Sequence, residues 1–352
     1  MNIVLCLFVI FIHVASAAVS TADRSAWQYA VLMLVWRGCS LAVPAFIFLA
    51  AVKLAMGLNK AFSYPKYLLS RLKRVLLPYL AVSAVYAVYF TMRGFAAYTP
   101  ASLLKEVALG SVCGHFYFVI IILQFYLTAP LWRALAKRLD STARIAAALI
   151  ASYFVSQLFG QYFADFLHIF DKSFVFAYSD RIFTTYLFWW TAGLAVGRHY
   201  EKAKDAAKRD FVPSAVLFGF AAVTAGFLDF LHFTGRESIW WLETAHTFYI
   251  FAGICFMFAL AVRFSTLRLP SPLVYVDRAS YSIYLWHPLT LYIADSVSGK
   301  IAADTLTGSL AVRILFGFGL TISVCACVSF LTKKLTEIAK TRLTASKQTG
   351  KS

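Results

Sequence analysis

Stretches of about twenty mostly apolar residues, the length a helix needs to cross a bilayer, recur along nearly the whole of this chain. No other feature limits its folding so tightly. Backbone N–H and C=O groups find no water in hydrocarbon, so helices that satisfy those groups internally are the form such segments take. The composition agrees. Of all residues, 61% are hydrophobic and 14% charged, and the mean hydropathy is +0.72. Soluble domains hold about 45–50% apolar and about 25% charged residues. A soluble globular protein, a disordered chain and a disulfide scaffold are therefore excluded. The expected fold class is all-α, a polytopic membrane protein.

Ten spans are predicted, at 2–20, 39–58, 75–94, 114–132, 143–164, 182–198, 212–231, 246–263, 272–294 and 308–332. The first has a second reading as a signal peptide, since Ala15-Ser16-Ala17 supplies small residues after an apolar run. The net charge of +17 invites a nucleic-acid reading, but the basic residues fall in short clusters between apolar segments. The loops after spans 2, 4, 6 and 8, together with the tail, hold 23 of the 33 lysines and arginines. Among them are Lys60, Lys66, Arg71, Lys73 and Arg74, then Arg198, Lys202, Lys204, Lys208 and Arg209. The opposite loops hold only 8, such as Arg24, Arg93, Lys172 and Arg236. Basic loops stay in the cytoplasm, so the first set is cytoplasmic and both termini are inside. No nucleic-acid partner is expected; membrane lipid is. The segment 199–210 reads as a short cytoplasmic helical loop. The six cysteines, mostly in apolar stretches and without a C-x-x-C pair, read as buried free thiols.

Ionisable groups in hydrocarbon are costly, about 2.5–3.5 kcal/mol for Arg, Lys or Asp on insertion scales, and normally face a cavity, a partner or a substrate. Histidine is cheaper because it can be neutral, so each one is either a packed polar residue or a working group. His13 lies in span 1, His115 opens span 4 and His287 lies in span 9 within Ser280–Pro288. The alternating topology puts all three in the outer half of the bilayer. Arg37 is on the same side, either snorkelling to headgroups or stabilising a developing oxyanion. Arg181, Glu243 and His246 border that face with weaker claims. Arg71-Leu72-Lys73-Arg74 is a positive-inside anchor or a site for a cytoplasmic polyanion. Pro44, Pro78, Pro130 and Pro288 lie within or at the edges of spans, where proline frees a backbone carbonyl. There is no P-loop, G-x-S-x-G, H-E-x-x-H or paired-cysteine metal site. The residues alone fit proton-coupled transport or acyl transfer by a histidine base.

In order along the chain come the Ile3–His13 run, Val43–Leu49, Arg71–Tyr79, Gly114–Arg133 with Gln124-Phe125-Tyr126, and Ser280–Pro288. Together with ten spans they resemble the acyltransferase 3 family of integral membrane acyltransferases. Within it they look most like the branch with the enterobacterial common antigen O-acetyltransferase and the poly-N-acetylglucosamine modification protein. The resemblance makes 1–332 a membrane acyltransferase domain and leaves 333–352 as a cytoplasmic basic tail. It implies transfer of an acyl group, acetyl in the first instance, from acyl-coenzyme A as co-substrate, with no bound cofactor and no metal. The acceptor would be a hydroxyl of an envelope polysaccharide or its lipid-linked precursor, at the inner (plasma) membrane, beside glycan synthesis or export machinery. His13 matches the family's catalytic first-span histidine, with Arg37 for charge stabilisation and His287 as a polar partner. His115, Tyr117, Gln124, Arg71, Arg74 and Tyr284 are the expected substrate-binding residues. Two positions depart from the family pattern. Asn2 stands where an arginine is usual, and Ala50-Ala51 replaces Ser-Gly. A transporter or exporter of glycan or small solutes is the other reading.

Overall fold

The computed structural model describes residues 1–173, 178–268, 270–301, 317–324 and 327. Every regular element among the described residues is helical. In chain order the α-helices are α1 (Asn2–Thr21), α2 (Trp27–Gly38), α3 (Ala42–Met56), α4 (Tyr64–Arg71), α5 (Leu77–Met92), α6 (Pro100–Leu109), α7 (Tyr117–Leu127) and α8 (Ala129–Arg138). They continue as α9 (Thr142–Gln157), α10 (Phe163–His168), α11 (Leu187–Arg198), α12 (Tyr200–Arg209), α13 (Phe211–Phe233), α14 (Leu242–Arg263) and α15 (Ser271–Ile301). Among the described residues, five continuous runs are long and apolar enough to cross a bilayer: Trp27–Met56, Tyr64–Met92, Thr142–His168, Phe211–Phe233 and Leu242–Arg263. A further span arises if Pro100–Leu109 and Gly114–Leu127, bent by 55°, count as one. The predicted span 308–332 lies mostly outside the described residues, as does the tail 333–352.

Several boundaries move, for physical reasons. The second span begins at Trp27 rather than at 39, because Trp27–Gly38 is itself apolar; Arg37 thus sits within a thirty-residue run. The third begins at Tyr64, so the Arg71–Arg74 cluster is inside a helical segment rather than in a loop before it. The expected outer loop 95–113 contains α6, whose start is set by a Thr99/Ser102 capping box and whose end is Gly110 at φ 66°. The 199–210 loop is helical, as α12.

Proline explains the internal breaks. It offers no N–H to the carbonyl four residues back. Pro44 leaves the Ser40 carbonyl without that donor, and a 3-10 turn at Cys39–Leu41 separates α2 from α3. Pro78 does the same to Arg74, within the π-helical stretch Leu72–Leu76. Pro130 stands at the restart of the chain as α8.

Residue contacts group the chain into two compact units. One runs from Arg24 to Leu267. Its tightest seam joins α3 to α11. Gly193 and Gly197 face Ala51 and Ala55, and a Cβ on either glycine would overlap the Phe48 or Val52 carbonyl oxygen. Small residues spaced by four let membrane helices approach this closely. Arg133 closes the C-terminal end of α3, donating to the Gly57 and Leu58 carbonyls at 3.0 and 3.1 Å. A cation there complements the negative end of the helix. The other unit joins Asn2–Asp23 to the described residues from Arg268 onward. In it α1 packs along α15 through Ile10, Val14, Val276, Ala279, Ile283 and Leu291. Gly317 lets the 317–324 helical segment approach Val14 and Leu291.

Candidate active site

The α1/α15 unit brings His13 and His287 together. Their ring centroids are 4.8 Å apart, at 57°. His287 is fully buried, and the Tyr284 ring lies 6.1 Å from it. Pro288 explains how the ring is held. It deprives the Tyr284 carbonyl of its usual helical donor, and the His287 Nδ1–H donates to that oxygen at 2.8 Å and to the Ile283 oxygen at 3.2 Å. A carbonyl only accepts, so Nδ1 carries the proton, and in the neutral ring Nε2 keeps the lone pair. Thr290 Oγ1 donates to the His287 carbonyl at 2.7 Å and lies 2.7 Å from Thr321 Oγ1. Neutral imidazoles held in an apolar packing can accept and return a proton without the cost of a fixed charge.

Arg37 belongs to the Arg24–Leu267 unit, where it sits in an ionic network. Its Nε donates to Asp229 Oδ1 at 3.1 Å, and its Nη2 lies 3.0 Å from Glu243 Oε1. Asp229 and His246 are almost fully buried, whereas Glu243 is half exposed. His246 Nδ1 is 3.5 Å from Asp229 Oδ2, and His246 Nε2 is 2.6 Å from Ser40 Oγ. The Tyr249 hydroxyl donates to the Gly38 carbonyl at 2.7 Å, tying α14 to the end of α2. Asp229, His246, Gly38 and Tyr249 line a cavity of about 450 Å³. Asp229 and Ser40 escape the sequence reading. The signal for Asp229 was present: a carboxylate inside an apolar run is a functional-site flag. Ser40 carried none.

The remaining candidates are spread through the same unit. His115 is buried against Phe116 and Tyr86, with centroids at 4.2 and 5.8 Å. Tyr117 hydrogen-bonds Tyr186. Gln124 is engaged at both ends of its amide, donating to the Arg181 carbonyl at 2.7 Å and accepting from the Phe183 N–H at 3.1 Å. It therefore anchors the 181–183 turn. Arg71 lies over the rings of Tyr67 and Tyr126 at 5.1 and 5.0 Å, and Arg74 is exposed. A larger cavity of about 500 Å³ among α3, α9, α11 and α14, with Lys202 and His199 in its wall, holds none of the predicted site residues. Among the described residues no group of His, Cys, Asp and Glu is arranged to hold a metal.

Comparison with known proteins adds whole-chain matches. A protein of Staphylococcus aureus strain Mu50, named "Probable poly-beta-1,6-N-acetyl-D-glucosamine export protein", is 24% identical over 336 residues, covering 91% of this chain and 89% of its own. A Staphylococcus epidermidis protein of the same name is 24% identical over 329 residues, covering 91% and 87%. No solved structure matches. The acyltransferase 3 family, described as an acyltransferase domain, matches residues 1–331. With the order of its helices and motifs, that match places the chain in the acyltransferase 3 family of membrane proteins.

Proposed function

We propose that this chain is a membrane O-acyltransferase. It moves an acyl group, acetyl in the simplest case, from acyl-coenzyme A to a hydroxyl of an envelope polysaccharide or its lipid-linked precursor. The observation that carries the reading is the His13–His287 pair in a chain of an acyltransferase family. A sugar hydroxyl is a weak nucleophile, and the His13 imidazole removes its proton as it attacks the acyl carbonyl. The buried His287 ring, fixed in one tautomer by the Tyr284 carbonyl, orients that base. Arg37, expected to stabilise developing charge, is engaged with two carboxylates, and the proton transfer is assigned to the histidines without it. On the face read as cytoplasmic, Arg71 and the exposed Arg74 suit the phosphates of coenzyme A.

The test is the O-acyl ester content of envelope glycans, measured by mass spectrometry. Cells with the intact gene, with His13→Ala and with no gene are compared. Esters made only by the intact gene support the reading and identify the acyl group by mass. Equal esters in all three, with the protein present in the membrane, overturn it. The printed name of the staphylococcal relatives favours a second reading, glycan export through the membrane without covalent chemistry. Export that persists when the cell lacks any acyl donor would decide for that reading.

A further inference from the structure

We propose that Ser40 is a second acyl-accepting nucleophile, activated by His246 and Asp229; this rests on the acyl-transfer reading and extends it. A turn near the start of the chain and two consecutive helices far from it in sequence converge here. The 3-10 turn at Cys39–Leu41 carries Ser40, α14 carries His246 and α13 carries Asp229. Ser40 Oγ is 2.6 Å from His246 Nε2. His246 Nδ1 points to the Asp229 carboxylate at 3.5 Å. With Nδ1 protonated on the carboxylate side, Nε2 is the acceptor for the Ser40 proton. Hydroxyl, imidazole and carboxylate in this order form the arrangement that makes a serine nucleophilic.

Three observations separate this array from a bond that only ties helices together. Arg37 holds Asp229 through Oδ1, which leaves Oδ2 for the imidazole. The charged groups gathered here are one guanidinium and two carboxylates, so the array carries no excess of positive charge. Finally, His246 and Asp229 line a cavity of about 450 Å³ beside the Ser40–His246 contact. The Asp229 contact is longer than a working hydrogen bond, as is common before substrate binds.

The step balances as follows. Ser40 Oγ attacks the carbonyl carbon of an acyl thioester. The C–O bond forms and the C–S bond breaks, His246 takes the hydroxyl proton, and that proton leaves on the thiol. Onward transfer follows when an acceptor hydroxyl attacks the acyl-serine carbonyl: the new C–O bond forms, the bond to Ser40 Oγ breaks, and Ser40 Oγ recovers a proton in place of the one it gave up.

The test uses the full-length protein in detergent micelles. A fluorophosphonate probe, which reports activated serines, is followed by peptide mapping. Separately, the protein is incubated with acetyl-coenzyme A and the Ser40 peptide examined for an acetyl ester. Expected are a fluorophosphonate adduct and an acetyl group on Ser40, both lost in Ser40→Ala and reduced at least tenfold in His246→Gln. An unlabelled, unacetylated Ser40 in the unaltered protein overturns the proposal without reference to any variant's folding. Labelling that His246→Gln leaves unchanged overturns it too. Glycan esters separate the two proposals. Esters abolished by His13→Ala but intact in Ser40→Ala keep the acyltransferase reading and discard this one.

Discussion

Two histidine-centred regions of this molecule solve the same problem in opposite ways. In the α1/α15 unit, His13 and His287 sit among Ile10, Val14, Ile283 and Leu291. The polar group that orients His287 is a carbonyl of its own helix, released by Pro288. In the other unit, Arg37, Asp229, Glu243 and His246 form an ionic array drawn from α2, α13 and α14. A neutral imidazole can be satisfied locally. A buried charge needs opposite charges, and these come from other helices. The first arrangement needs only a local acceptor for a neutral ring, whereas the second holds a guanidinium, Arg37, whose charge must stay compensated.

The largest expected effect breaks the first region. His13→Ala is expected to lower glycan ester formation by about a hundredfold or more, the scale of a lost general base, with unchanged protein abundance on an immunoblot. A loss of ester matched by loss of protein would put His13 in the packing instead. The next effect tests the second region. Arg37→Met leaves buried Asp229 uncompensated, at a cost of about 3–5 kcal/mol for a broken buried pair. Thermal unfolding in detergent should fall markedly. The double change Arg37→Met with Asp229→Leu removes both charges and should regain most of the loss. A double variant no more stable than the single would show that charge compensation is not what holds α2 to α13. A smaller effect sharpens the comparison. Pro288→Ala returns a backbone N–H to compete for the Tyr284 carbonyl. Nitrogen NMR of the His287 ring should then show a mixture of tautomers, and ester formation should fall less than in His13→Ala.

What could be read in the sequence follows the same division. The Ser280–Pro288 segment contains histidine, proline and the accepting carbonyl within five residues, so its chemistry is local and visible. His13 was visible as a polar residue in an apolar run, and its pairing with His287 came from the resemblance of both segments to one family. The ionic array is non-local. Arg37 and Asp229 are 192 residues apart, and one sequence without relatives gives no sign that they meet. The helices themselves were legible from hydropathy, but Trp27–Gly38 and Tyr64–Arg71 were not, because each abuts charged residues that read as loop. The α3/α11 seam was also missed. Gly193 and Gly197 are four apart, yet they become meaningful only once Ala51 and Ala55 are seen opposite them.

The smallest effect concerns whether side-chain hydrogen bonds hold the histidine unit together at all. Thr290 Oγ1 and Thr321 Oγ1 are buried and 2.7 Å apart, and Thr290 also donates to the His287 carbonyl. A hydroxyl proton can be given once, so when Thr290 donates to the carbonyl, Thr321 must be the donor between the two hydroxyls. Thr321→Val keeps the shape and removes that donor. Hydrogen bonds between membrane helices average about 0.6 kcal/mol, because the alternative state also finds partners. Thr290→Val removes both bonds, so it should cost roughly twice as much. Thermal unfolding of the two variants checks the order. Thr321→Val destabilising as strongly as Arg37→Met would mean that this unit, too, is held by its polar contacts, and the contrast between a packed region and a charged one would no longer stand.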